Sequence, residues 1–216
     1  MKAFVIAIPQ HEKSQGAADR CIASGKRHGV EIDKFNAITP SVDLEELAAQ
    51  HQVPLKLFNE KYSRTSNCIA AFFSHFTLWK KCIELNQPIA IFEHDAVVSG
   101  QLPTTPFNYV MSIGQPSYGK HVVPTHLGVG PLTSKPYFPG AHAYMVNPAG
   151  AKRLIERAKL DAGPTDVFLD IRRFPWLQEF YPWTAYAADS FSTIQNKTGC
   201  LAKHNYKEGY EIVDVK

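Results

Sequence analysis

The order of apolar runs predicts a single α/β domain built on a parallel sheet. Three stretches carry that prediction: a β-α-β opening, a long amphipathic helix feeding a buried strand, and a later strand leading into a helix that starts on proline. Ala3 to Ile8, AFVIAI, is a short apolar run closed by Pro9, as a buried first strand requires. A helical stretch runs from about Gln15 to His28 and stops at Gly29. Val30 to Phe35, VEIDKF, alternates like a second strand, and the crossover between the two strands should be right-handed. Asp43 with Glu46 reads as a capping box opening the next helix.

Residues 66 to 86 read as one long helix, with Ile69, Phe72, Phe73, Phe76, Trp79, Cys82 and Ile83 recurring at helical steps. Pro88 separates it from the strand Ile89 to Phe92. Gly100 to Pro139 is rich in glycine and proline and reads as loops over a site, with short strands expected near Tyr109 to Ile113 and around His121 to Val123. His142 to Asn147 is a strand. Asn147-Pro148 then supplies an N-cap and a first-turn proline for the helix that follows. Thr165-Asp166 reads as the cap of a short helix reaching about Arg173. WTAYAA is a late strand, and Ser190 onward reads as a polar tail.

Composition narrows the class. The 216 residues are 44% hydrophobic and 20% charged, which describes a globular chain. A net charge of +3 is too mild to argue for nucleic acid, so DNA has only slight basicity in its favour. Cys21, Cys68, Cys82 and Cys200 show no metal or disulfide spacing and read as reduced intracellular thiols. The apolar start is too short for a signal segment or a transmembrane span, so a soluble, cytoplasmic protein is expected and the Asn196 sequon carries little meaning.

The chemistry concentrates where IAIF ends in Glu93-His94-Asp95. Strand alternation places Glu93 and Asp95 on one face and His94 on the other. Two carboxylates at the C-terminal edge of a sheet can share Mg²⁺ or Mn²⁺, and that edge is where open α/β sheets bind ligands. Pairing with Lys or Arg, or plain solvation, fits the same acids.

FFSHFTLWKKCIELNQPIAIFEHDAVV resembles the central signature of glycosyltransferase family 25: a Ser-His, a Trp four residues later, then an apolar strand ending in Glu-Asp-Asp. Ser74, His75, Trp79, Glu93 and Asp95 occupy the matching places. GAHAYMVNPAGAKRLIERA, GPTDVFLD and SFSTIQN resemble later blocks of the family in order, and FVIAIP with GVEIDKFNAITP resembles its opening. His94 stands where the family has the middle acid, Ala70-Ala71 replace a Gly-Cys, and QHEKSQGAADR replaces an arginine-rich stretch, with Lys13 or Arg20 as substitutes.

The resemblance implies a GT-A-type, Rossmann-like fold: a mixed, mostly parallel sheet flanked by helices. Residues 1–100 would form the nucleotide-sugar half, and residues 101–216 the acceptor side and tail. It implies an inverting, metal-dependent transfer of a hexose from a UDP-sugar to a hydroxyl acceptor. That acceptor would be a glycan, a protein or a modified nucleobase. Asp95, with Glu93 and His94, would hold Mn²⁺ or Mg²⁺, while His75 and Glu93 would line the donor site; Pro9 and Thr39 follow strand ends and fit either the donor site or ordinary turns. Asp166, by its match to the family's apolar-Asp step, and then Asp170 are the expected general bases; an ordinary helix cap fits Asp166 equally. His75 also fits a hydrogen-bonded interior histidine. His142 and His204 are lesser ligand candidates, and the aromatics Phe174, Trp176, Phe180, Tyr181 and Trp183 fit either a stacking platform or core packing. Two rival functions remain: a degenerate nucleotide-sugar-binding module, or a sugar nucleotidyl-processing enzyme.

Overall fold

The computed structural model describes residues 1–59, 63–188, 190–195 and 211–215. Asn196, Cys200 and His204 lie outside the described residues. The chain runs β1 (Lys2–Ala7), α1 (Glu12–Arg27), β2 (Asp33–Asn36), α2 (Leu44–His51), α3 (Thr65–Leu85), β3 (Ile89–Glu93), β4 (Ala96–Val98), β5 (Val110–Ser112) and β6 (Gly128–Pro131). It continues through β7 (Ala143–Val146), α4 (Pro148–Asp161), α5 (Thr165–Phe168), β8 (Gln178–Tyr181), β9 (Ala185–Ala187), β10 (Phe191–Ser192) and β11 (Glu211–Ile212).

A 7-stranded sheet in the order β2-β1-β3-β7-β5-β8-β6 forms the centre. β1, β2, β3, β5 and β8 run one way; β7 and β6 run against them. This is the expected mixed, mostly parallel, Rossmann-like α/β arrangement. Strand alternation splits the core into two faces. Phe4, Ile6, Ile89 and Ile91 pack against Phe72, Phe76 and Trp79 of α3 and Leu154 of α4. Val5, Ala7 and Phe92 pack against Ala18 and Cys21 of α1.

Two of the expected caps form. The Asp43 carboxylate accepts from the backbone N–H of Glu45 and Glu46, and the Asn147 side chain accepts from Gly150 N–H at 2.8 Å. Gly150 is required for packing, since a Cβ there would fall 2.2 Å from the Tyr109 carbonyl oxygen. Among the described residues no helix is long and apolar enough to cross a membrane.

Two local expectations are corrected, and two strands, β6 and β8, were not anticipated. Residues 121–123 form no strand, although the Val122 N–H donates to the Ser134 carbonyl. β6 appears instead, at a sheet edge where Gly128 and Pro131 are tolerated because only β8 pairs with it. The helix at Thr165 stops at Phe168 and is capped by Pro164, so Asp166 and Asp170 share no helical face. β8 was hidden because its inward residue is Glu179, fully buried.

One oxygen of the Glu179 carboxylate is compensated locally: Oε1 accepts from Thr133 N–H, the Thr133 hydroxyl and Ser134 N–H at 2.6, 3.0 and 2.9 Å, while Oε2 is buried with no partner among the described residues. Glu179→Ala strands those donors away from water and should cost about 2–3 kcal/mol, read by urea denaturation. Unchanged stability would show that water replaces the carboxylate there.

Candidate functional site

The C-terminal ends of β1, β2 and β3 open into a cleft. The N-terminal half of α3 walls one side. Ile6, Ile8, Ile38, Pro40, Ala70 and Ala71 give it largely apolar walls, and Thr39, Ser74, His75, Glu93 and His94 bring its polar atoms. The C-terminal segments close it, with Thr193, Ile194 and Val215 in the lining. They are held by Arg64, whose guanidinium donates to the Val213 carbonyl at 2.7 Å and to Asp214 at 2.9 Å. Asn67 adds a 2.6 Å hydrogen bond to the Thr193 carbonyl.

The Ser-His pair on α3 builds two walls at once. The Ser74 hydroxyl donates to the Ala70 carbonyl at 3.0 Å and accepts from Ile38 N–H at 2.9 Å, which fixes the loop after β2. His75 lies at the centre of a chain of side-chain hydrogen bonds. Trp79 Nε1–H donates to the Tyr144 hydroxyl at 2.8 Å, that hydroxyl lies 2.9 Å from His75 Nδ1, and His75 Nε2 lies 3.0 Å from Glu93 Oε1. The Tyr144 oxygen already accepts from Trp79, so its one proton goes to Nδ1, leaving Nε2–H to donate to Glu93. Burial lowers His75 to about 3, so the ring is neutral.

β3 ends at Glu93, and His94 and Asp95 form a turn into β4. Extended alternation therefore stops before Asp95, and the expected sharing of one face by Glu93 and Asp95 is corrected: His94, not Asp95, lines the cleft beside Glu93. The His94 ring stacks on Phe191 at 5.2 Å with 4° between planes, and its Nδ1 lies 3.2 Å from the Ser14 hydroxyl. Burial lowers its pKa, with the nearby Asp95 charge opposing. Asp95 sits close enough for its charge to act on His142 and Cys21. Its Oδ1 is buried with no hydrogen-bond partner among the described residues.

Pro9 follows Ile8 but is not part of the lining, whereas Thr39, His75 and Glu93 are. Asp166 lies elsewhere, accepting from the Tyr118 hydroxyl at 2.6 Å and from Val167 N–H at 2.8 Å. Burial raises its pKa against the pull of these bonds and of one from Gly140 N–H. The loop carrying Gly140 continues to His142, and so links Asp166 to the neighbourhood of Asp95. Asp170 is buried, yet the hydrogen bonds and charge of Arg172 outweigh burial and lower its pKa. Arg172 binds both carboxylate oxygens, at 2.9 and 2.8 Å. Lys13 pairs with Glu211, and Arg20 reaches the Ala188 carbonyl at 3.4 Å. Phe174 and Trp176 belong to the core around α3, which favours packing over a platform for that pair.

Ser14, Tyr144 and Phe191 escaped sequence reading as site residues. The first two are buried and reach the site through contacts spanning 80 and 69 residues of chain, which no local pattern reports. Among the described residues no group of three or more His, Cys, Asp or Glu side chains gathers to hold a metal ion.

No curated protein matches the chain. Residues 2–113, just over half of its length, match the family described as glycosyltransferase family 25 (LPS biosynthesis protein). That match spans β1 to β5 and so takes in Ser74, His75, Glu93 and the side of the cleft they line, and the chain belongs to glycosyltransferase family 25.

Proposed function

We propose that this glycosyltransferase moves a hexose from a nucleotide sugar, a UDP-sugar first among donors, to a hydroxyl acceptor with inversion. The observation that carries the reading is the cleft itself. Apolar walls suited to a flat base converge on Glu93 and His94 at the C-terminal edge of the sheet.

A divalent cation fits one group here. Asp95 Oδ1 is a hard anionic oxygen, buried and without a partner, and Mg²⁺ or Mn²⁺ is commonly held by one or two carboxylates plus substrate phosphates. Asp95 would hold the ion, which when bound neutralises charge on the departing diphosphate. Glu93, its Oε1 fixed by His75, would position the donor, with ribose as its target. Asp166, rather than the Arg172-bound Asp170, would take the acceptor proton, since its raised pKa makes it the stronger base.

The test is nucleoside diphosphate release from UDP-, GDP- and ADP-sugars, with Mn²⁺ or with chelator. Metal-requiring release from one donor supports the reading. Metal-independent thermal stabilisation without release would make the chain a binding module, and pyrophosphate release would make it a nucleotidyl-processing enzyme.

A further inference from the structure

His94 stands where the family's acidic triplet has its middle acid, and its surroundings specify one protonation pattern. Ser14 is fully buried, and its hydroxyl oxygen accepts from Ile8 N–H at 2.9 Å. The hydroxyl has one proton to place, and His94 Nδ1, 3.2 Å away, is the acceptor beside it. Nδ1 therefore accepts, and the ring proton sits on Nε2. A ring protonated at Nδ1 would aim a second N–H at the same oxygen and leave the hydroxyl proton without an acceptor. The parallel Phe191 ring fixes the imidazole plane. What remains for the cleft is Nε2–H, a neutral donor beside the Glu93 carboxylate.

We propose that His94, held by Ser14 and Phe191, donates its Nε2–H to a phosphate oxygen of the nucleoside diphosphate, and is a donor-binding residue rather than a metal ligand. This rests on the transferase reading above. Phosphate oxygens only accept, and an acid at this position would repel them unless a cation intervened. An N–H removes that charge and supplies a bond, so part of the diphosphate affinity becomes independent of the cation. Ser14 acts through His94 as a positioning residue.

The experiment titrates UDP, GDP and ADP, and the matching nucleosides, into the whole protein in chelator and in Mn²⁺. Side by side stand wild type, His94→Gln, His94→Asn and His94→Asp. Glutamine can place an N–H where Nε2 was; asparagine cannot reach. We expect one diphosphate to bind wild type in chelator and His94→Gln to stay within about threefold. His94→Asn should lose about tenfold, as for one hydrogen bond to a charged group. His94→Asp should bind only with Mn²⁺, while nucleoside affinity stays level throughout. The ¹⁵N shifts of the free protein's His94 ring, assigned by difference from His94→Gln, should show Nε2 protonated and Nδ1 accepting, and Ser14→Ala should blur that distinction.

Equal diphosphate affinity in wild type and His94→Asn would overturn the proposal. So would a parallel loss for the nucleoside, which would put the contact on ribose, or a ring protonated at Nδ1. If no diphosphate binds wild type with or without Mn²⁺, the donor-cleft reading falls and this proposal with it.

Discussion

Asp95→Asn should leave a folded protein whose sugar transfer is slower by about 10²–10³-fold, the scale set by removing one preorganised electrostatic group from a reacting centre. Asp95 Oδ1 is buried and has no hydrogen-bond partner among the described residues. Desolvating a carboxylate oxygen without pairing it costs stability, so folding alone gives no reason for an acid here. A structural acid would instead look like Asp170, both of whose carboxylate oxygens accept from Arg172. The asparagine variant should therefore match or exceed the wild-type melting temperature while losing activity, a trade expected of a site that bears strain for function. The turn itself survives the change, because the Ala188 N–H bonds to the Asp95 main-chain oxygen at 2.8 Å. Rate and melting temperature, measured on one preparation, decide the matter. A large stability loss with proportionate activity loss would make Asp95 a structural residue.

What sequence could and could not show follows from the range over which the signals act. α3 and β3 were legible because periodicity is local: the aromatic stripe of α3 and the apolar run of β3 each state their own burial. β8 was not, because a glutamate in a central strand reads as solvent-facing until the Thr133 and Ser134 donors are folded over it. Glu93 was legible as a strand-end acid. The placement of Asp95 was not, since alternation holds only while the strand lasts, and it lasts to Glu93. The tautomers of His75 and His94 depend on Tyr144 and Ser14, residues 69 and 80 positions away, so neither could be read before the sheet was assembled.

Acidification should destabilise the fold through His75, and that part of the pH dependence should be absent from His75→Gln and so appear in the difference between the two proteins. Burial lowers His75 from 6.5 to about 3. Between those values the unfolded chain holds a proton that the folded chain excludes, so stability must fall as pH falls. The contribution is complete above pH 6.5 and is lost on the way down toward about 3, at a rate approaching 1.4 kcal/mol per pH unit. The exclusion has a structural cause. His75 is 1% exposed, and its Nδ1 is occupied by the Tyr144 hydroxyl proton, so a second ring proton would have to evict that donor. Breaking that contact would loosen the Nε2–H that orients Glu93, so donor affinity should weaken along with stability. His94 and His142 are also lowered by burial, but both remain in the variant and cancel in the comparison. At pH 7.5 His75→Gln should be the less stable protein, because one amide cannot serve both Tyr144 and Glu93. Urea unfolding at steps from pH 7.5 to 5 should then show the gap narrowing below about pH 6 as wild type alone loses stability at His75. A gap constant across that range would mean that the imidazole takes up its proton within the fold, and that Tyr144 reorients to accept from it.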